Sequence, residues 1–128
     1  MMISAQQKYQ QAKMQTASPS QLLLMLFDGA IRFVKAGIQG IEEQDIEKTN
    51  MFLGKTQAII HELIASLDFN YEISNQLLPI YEYMIRQLIN ANIHKDQEAA
   101  SEVLAHLLEM RDGFDQAARA GSIKAEYA

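Results

Sequence analysis

The sequence contains no cysteine, which excludes disulfides, thiolate metal sites and thiol nucleophiles, and which fits a reducing compartment. Proline occurs twice and glycine six times, so few positions are marked as turns, and the abundance of Ala, Leu, Gln, Glu, Met and Lys favours helix nearly throughout. Basic residues are outnumbered, 11 against 16 acidic, for a formal net charge of −5. That balance repels a phosphate backbone, and no Lys/Arg cluster makes a local exception, so nucleic acid is not an expected partner. No uninterrupted apolar run approaches the roughly 18 residues that a bilayer span needs. The longest, Leu22 to Phe27, ends at Asp28, and the opening segment MMISAQQKYQQAKMQ is too polar for a signal peptide. The expectation is a cytoplasmic protein with no membrane insertion.

The 128 residues suit one domain with one sizeable core, and 48% apolar with 21% charged residues is ordinary for a globular chain. The most strongly signalled stretch is Thr16 to Phe33. Ser18 offers a hydroxyl to an orphan N–H, Pro19 suits the first helical position, and Gln21 completes a capping box. Helix is predicted over 19–43, with Asp28, Arg32, Lys35, Gln39 and Glu42 as its solvated stripe. Two apolar rows remain. One is Leu23, Phe27, Ala30, Ile31, Val34, Ile38 and Ile41; beside it lie Leu22, Met25, Leu26, Gly29, Phe33, Ala36, Gly37 and Gly40. Mid-helix glycine costs about 1 kcal/mol relative to alanine, so three on one flank suggest that another backbone comes close there, with chance placement as the competing reading.

Asp45 is a plausible N-cap for a second helix over 46–67, whose wide apolar arc holds Ile46, Phe52, Leu53, Ile59, Ile60, Leu63, Ile64 and Leu67. A third helix is predicted over 73–93, on Ile73, Leu77, Ile80, Tyr81, Met84, Leu88 and Ala91. Pro79 falls either inside it as an early distortion, the favoured reading, or in the first turn of a shorter helix. Asp96 caps a fourth over 97–119, with Ala100, Val103, Leu104, Leu107, Leu108, Met110, Phe114 and Ala117 on its apolar side. Residues 1–15 read as an N-terminal arm, either a mobile terminus or one that docks back through Tyr9 and Met14; residues 122–128 read as a frayed tail. Long helices with short connections imply an all-α fold, an antiparallel up-down-up-down four-helix bundle spanning 16–121.

The sequence lacks the residue patterns of the chemistry that such bundles can house. A di-iron site needs Glu-x-x-His pairs, but Ala58, Ala91 and Val103 precede the three histidines at that spacing, and Ala65 denies His61–Glu62 a zinc-protease motif. There is no Gly-rich phosphate loop or nucleophile elbow. No catalytic, metal or cofactor-binding residue is assigned, and an enzyme is not expected. Apolar arcs wider than one core requires, together with seven methionines, point instead to an adaptable protein-binding surface. A homodimer, or a generous core, would also use those faces.

The Tyr9 arm, Thr16-Ala17-Ser18-Pro19 followed by LLMLFDGAIRF, KTQAIIHEL from Lys55, LPIYEYM from Leu78, Ala91-Asn92 and the closing LLEMRDGFDQ resemble, in order and over nearly the whole chain, the flagellar export chaperone family FliS. Phe27 stands where tyrosine is expected and Phe114 where tryptophan is common, and Asn70-Tyr71 replaces a Gly-Gly before the third helix. The resemblance implies a cytoplasmic chaperone that binds the C-terminal segment of flagellin, prevents its premature polymerisation and delivers it to an export gate component of the flagellar type III apparatus. It also implies an N-terminal arm that covers the apolar cleft until the client displaces it. On that reading Tyr9 and Met14 belong to the cover. Leu22, Met25, Leu26 and Phe33 form the groove wall on the first helix, with Ile60 and Ile64 as weaker candidates on the second. Each of these has core as its alternative, and a self-associating structural or adaptor bundle without a flagellin client is the alternative for the whole.

Overall fold

A computed structural model describes Ala5 and residues 17–121, and the cover candidates Tyr9 and Met14 lie outside the described residues. Four helices follow one another: α1 (Pro19–Glu42), α2 (Ile46–Ala65), α3 (Glu72–His94) and α4 (Gln97–Arg119). They close a ring in which α1 packs on α2 and α4, α2 on α3, and α3 on α4. This is an antiparallel four-helix bundle, and no strand occurs among the described residues.

Each helix start has a local cause. At α1 the Ser18 hydroxyl accepts from the Gln21 N–H at 3.2 Å while the Gln21 side chain accepts from the Ser18 N–H at 2.8 Å, a complete capping box with Pro19 at the first position. Asp45 caps α2 by accepting from the Lys48 N–H at 3.0 Å, and Asp96 caps α4 by accepting from Glu98 and Ala99. Pro79 is held inside a helix that already begins at Glu72, so the longer of the two readings holds. The carbonyl of Asn75 therefore receives no N–H from position 79.

The corner between α1 and α2 is tight. Gln44 takes the left-handed conformation (φ 58°), its N–H donating to the Ile41 carbonyl at 3.1 Å and that of Asp45 to the Gly40 carbonyl at 2.8 Å. These two bonds make a Schellman motif in which glutamine occupies the site usually given to glycine. Lys95 is also left-handed at the α3–α4 corner (φ 52°), where its N–H and that of Asp96 both donate to the Ala91 carbonyl.

The interior is filled by Leu23, Phe27 and Val34 of α1, Leu53, Ile60 and Leu63 of α2, Tyr81, Met84 and Leu88 of α3, and Val103 and Leu107 of α4. Of the two apolar rows on α1, the one containing Phe27 faces this core. Thr49 and Thr56 are buried too, but each hydroxyl donates at 2.8 Å to the carbonyl one turn earlier, so neither leaves an unpaired donor. Two of the positions that depart from the resembled pattern meet each other: the rings of Phe27 and Phe114 lie 5.5 Å apart, a ring pair that calls on the aromatic body alone. Beside them, Arg111 of α4 donates to both oxygens of Asp28 on α1, at 2.8 and 3.4 Å.

Candidate functional site

The second row of α1 meets α2. Its three glycines mark where the helices approach most closely: an alanine methyl at Gly37 would sit 2.5 Å from the Leu53 side chain, and one at Gly40 would sit 2.8 Å from the Thr49 backbone nitrogen. At Gly29 the same methyl would reach Ile59 at 3.1 Å. The glycine flank thus admits a neighbouring helix, which answers the choice between close approach and chance.

Between those glycines stands Phe33, half-buried, its ring stacked on Phe52 of α2 with centroids 5.9 Å apart. Arg32 lies 5.4 Å from the centre of the Phe33 ring, and Lys55 lies 5.4 Å from the centres of both rings. Toward the start of α1, Leu22, Met25 and Leu26 are half-buried; the four-, three- and four-residue steps Leu22, Leu26, Gly29, Phe33 keep them on one face. Leu26 leans on the core, as does Ile64 of α2. Ile60 has no accessible surface, so of its two readings, wall and core, it takes the core, with its neighbour Ile59 turned toward the seam.

Apolar side chains are exposed on α3 as well. Ile73 and Ile80, which stand on the predicted row of that helix, are exposed at its edge, as are Tyr83, Ile89 and Ile93, Ile93 by 70%, and Ile46 at the start of α2 is exposed by 63% although it too stands on the predicted arc. Leu108 of α4, also on a predicted arc, is likewise exposed.

Polar groups form small networks at the helix seams. Tyr83 of α3 donates to a Glu102 carboxylate oxygen at 2.5 Å, Gln87 donates to the other at 3.1 Å, and His106 Nε2 lies 3.5 Å from the oxygen that Tyr83 bonds. The Tyr83 bond holds the Glu102 carboxyl below its ordinary range and raises the Tyr83 phenol. Burial pushes the Tyr81 phenol far up, and the Asp28 carboxylate keeps the Arg111 guanidinium more firmly protonated. Among the described residues, no three His, Asp or Glu side chains are grouped to hold a metal ion. No helix among them is long and apolar enough to cross a membrane.

The fold and its seams therefore define an all-helical bundle with half-buried and exposed apolar side chains at its surface. The chain matches the family described as "Flagellar protein FliS" over residues 2–121. It is 40% identical over 109 residues to the flagellar secretion chaperone FliS of Bacillus subtilis (strain 168), covering 85% of this chain and 82% of that one. It is 32% identical to the flagellar secretion chaperone FliSB of Pseudomonas aeruginosa, across 88% of this chain and 94% of that one. To the flagellar secretion chaperone FliS of Salmonella typhimurium it is 36% identical, across 79% and 77%. The chain belongs to the FliS family.

Proposed function

We propose that this protein is a cytoplasmic flagellar secretion chaperone that binds the C-terminal segment of flagellin, keeps it from polymerising prematurely and delivers it to the flagellar type III export apparatus. The observation that carries the reading is the match along nearly the whole chain to proteins named as flagellar secretion chaperones. The seam supports it physically. A disordered, helix-prone client can lay an amphipathic helix along Leu22, Met25, Leu26 and Phe33, with Ile64 on α2 and Ile60 beneath as support. Burial of apolar area contributes about 25 cal/mol per Å², against the entropy of ordering the client. Tyr9 and Met14 keep their assignment as cover. Release follows from handover to an export gate component, since the sequence has no phosphate loop with which to couple nucleotide hydrolysis.

Titration calorimetry and circular dichroism with a flagellin C-terminal segment test the reading. A stoichiometric complex with added helical signal is expected, weakened by Phe33→Asp and strengthened by deletion of residues 1–15. The absence of any binding at micromolar concentration would dispose of the reading. A dimer that Phe33→Asp dissociates without touching client affinity would favour the self-associating bundle.

A further inference from the structure

Two cations converge on one aromatic ring at the α1–α2 seam, and neither is paired with an anion among the described residues. Arg32 and Lys55 each stand 5.4 Å from the centre of Phe33, and Lys55 stands equally close to Phe52. No carboxylate among the described residues pairs with either. Acid is not scarce, because acidic residues outnumber basic ones 16 to 11. Among the described residues, Lys48, Arg111 and Arg119 hold carboxylates while Lys35, Arg86 and Lys95 do not, and Asp28, one turn before Arg32, is taken by Arg111 of α4; what sets Arg32 and Lys55 apart is that they share one ring. The aromatic pair below the cations is only half-buried and stays outside the core. Gly29, one turn before Phe33, contributes no side chain, which leaves Ile59 to floor the seam beside them.

From this geometry we infer that the Phe33–Phe52 seam seats a stretch of the client that carries a carboxylate next to an apolar side chain: the apolar group lies on the two rings and the carboxylate bonds to Arg32 and Lys55. The inference rests on the client reading above and specifies the chemistry of its seat. A carboxylate beside these cations accepts charge-assisted hydrogen bonds from them, which are stronger than neutral ones. A neutral stretch makes no such bond. The seam also selects register. The chain as a whole carries −5, so an acidic client side chain is disfavoured over most of the surface and favoured within a Debye length of these two cations.

The test uses the full chain and two probes, the flagellin C-terminal segment as it stands and the same segment with Asp and Glu replaced by Asn and Gln. Affinity is measured by calorimetry at low and moderate salt for the wild type, Lys55→Met, Arg32→Met, the double variant and Lys55→Arg. Each methionine variant keeps an apolar stem over the rings and loses only the charge. Each is expected to bind the unmodified segment about three- to tenfold more weakly, with a shallower salt dependence. Lys55→Arg is expected to keep wild-type affinity. The amide-substituted segment should bind the wild type about as weakly as the unmodified segment binds the double variant. Equal affinity of the wild type for both segments, or of the double variant and the wild type for the unmodified one, would overturn the inference while leaving the client reading intact. If the wild type binds neither segment, the client reading fails and the inference falls with it. Melting curves for each variant separate lost charge from lost fold.

Discussion

Gly40 gives the sharpest test of how the bundle is held together. In Gly40→Ala the new methyl would lie 2.7 Å from the Thr49 hydroxyl oxygen, 2.8 Å from its backbone nitrogen and 3.2 Å from its Cα. Ordinary contacts sit at about 3.5–4.0 Å, so α1 and α2 must part by roughly 1 Å at this point. Thr49 cannot yield alone. Its N–H donates to the Asp45 carbonyl at 3.0 Å and its hydroxyl donates to the same carbonyl at 2.8 Å, while the Asp45 N–H is tied to Gly40 itself. Overpacking of this kind costs about 1–3 kcal/mol, and losing one corner hydrogen bond costs about 1 more. The gain in helix propensity from glycine to alanine offsets about 1 kcal/mol. The net expectation is a loss of about 1–3 kcal/mol. Gly54→Ala is the control, since a methyl there meets nothing within 4 Å and only the propensity gain remains, stabilising by about 0.5–1 kcal/mol. Urea unfolding followed by helical circular dichroism should separate the two midpoints by about 1–2 M, given slopes of about 1–3 kcal/mol per M. If Gly40→Ala proves as stable as the wild type with an unchanged slope, the close approach of the two backbones is not a requirement of the fold.

Two further outcomes follow from the electrostatics. Tyr81 is buried and its phenol titrates well above the usual 10.0, so the folded state resists its ionisation. The raised folded value means that its contribution is fully present below pH 10 and is lost as pH climbs toward that value. Stability should therefore fall more steeply above pH 10 in the wild type than in Tyr81→Phe, with Tyr83→Phe as comparison, and parallel alkaline limbs in urea titrations would refute this. Asp28→Asn removes the partner of Arg111 at a half-exposed site, so it should cost less than about 1 kcal/mol and almost nothing in concentrated salt. A larger or salt-independent loss would mean that the pair does more than join two surfaces.

What could be read in advance was local. Ser18 and Gln21, Asp45, and Asp96 act on backbone groups within three residues of themselves, so spacing alone identified their caps. The glycine flank was legible because mid-helix glycine is unfavourable unless something else requires it. The assignment of apolar rows was not, because a helix with two rows has two possible inward faces and only its neighbours decide between them. Ile60 and Ile64 differ by one turn, yet Ile60 is wholly enclosed and Ile64 is not. The seam on Phe33 escaped for a related reason: Arg32 and Phe33 are adjacent, Phe52 and Lys55 are one turn apart, but their meeting depends on how two helices are registered. The left-handed corners at Gln44 and Lys95 carried no signal, since neither is the glycine or asparagine that usually marks such a site.

Leu107 is the last fully buried side chain of α4. The turns beyond it, out to Arg119, lean on the bundle through Met110, through the Phe114 ring against Phe27, and through the ion pair to Asp28. One helix thus has two grades of attachment. Amide protons beyond Leu107 should exchange by local opening, at a free energy well below that of global unfolding, while those around Val103 wait for the whole molecule to come apart. Peeling those turns away would bare the flank of α1 that carries Asp28 and Phe27 and leave the α1–α2 seam untouched, so the bundle can widen on one side without loosening on the other.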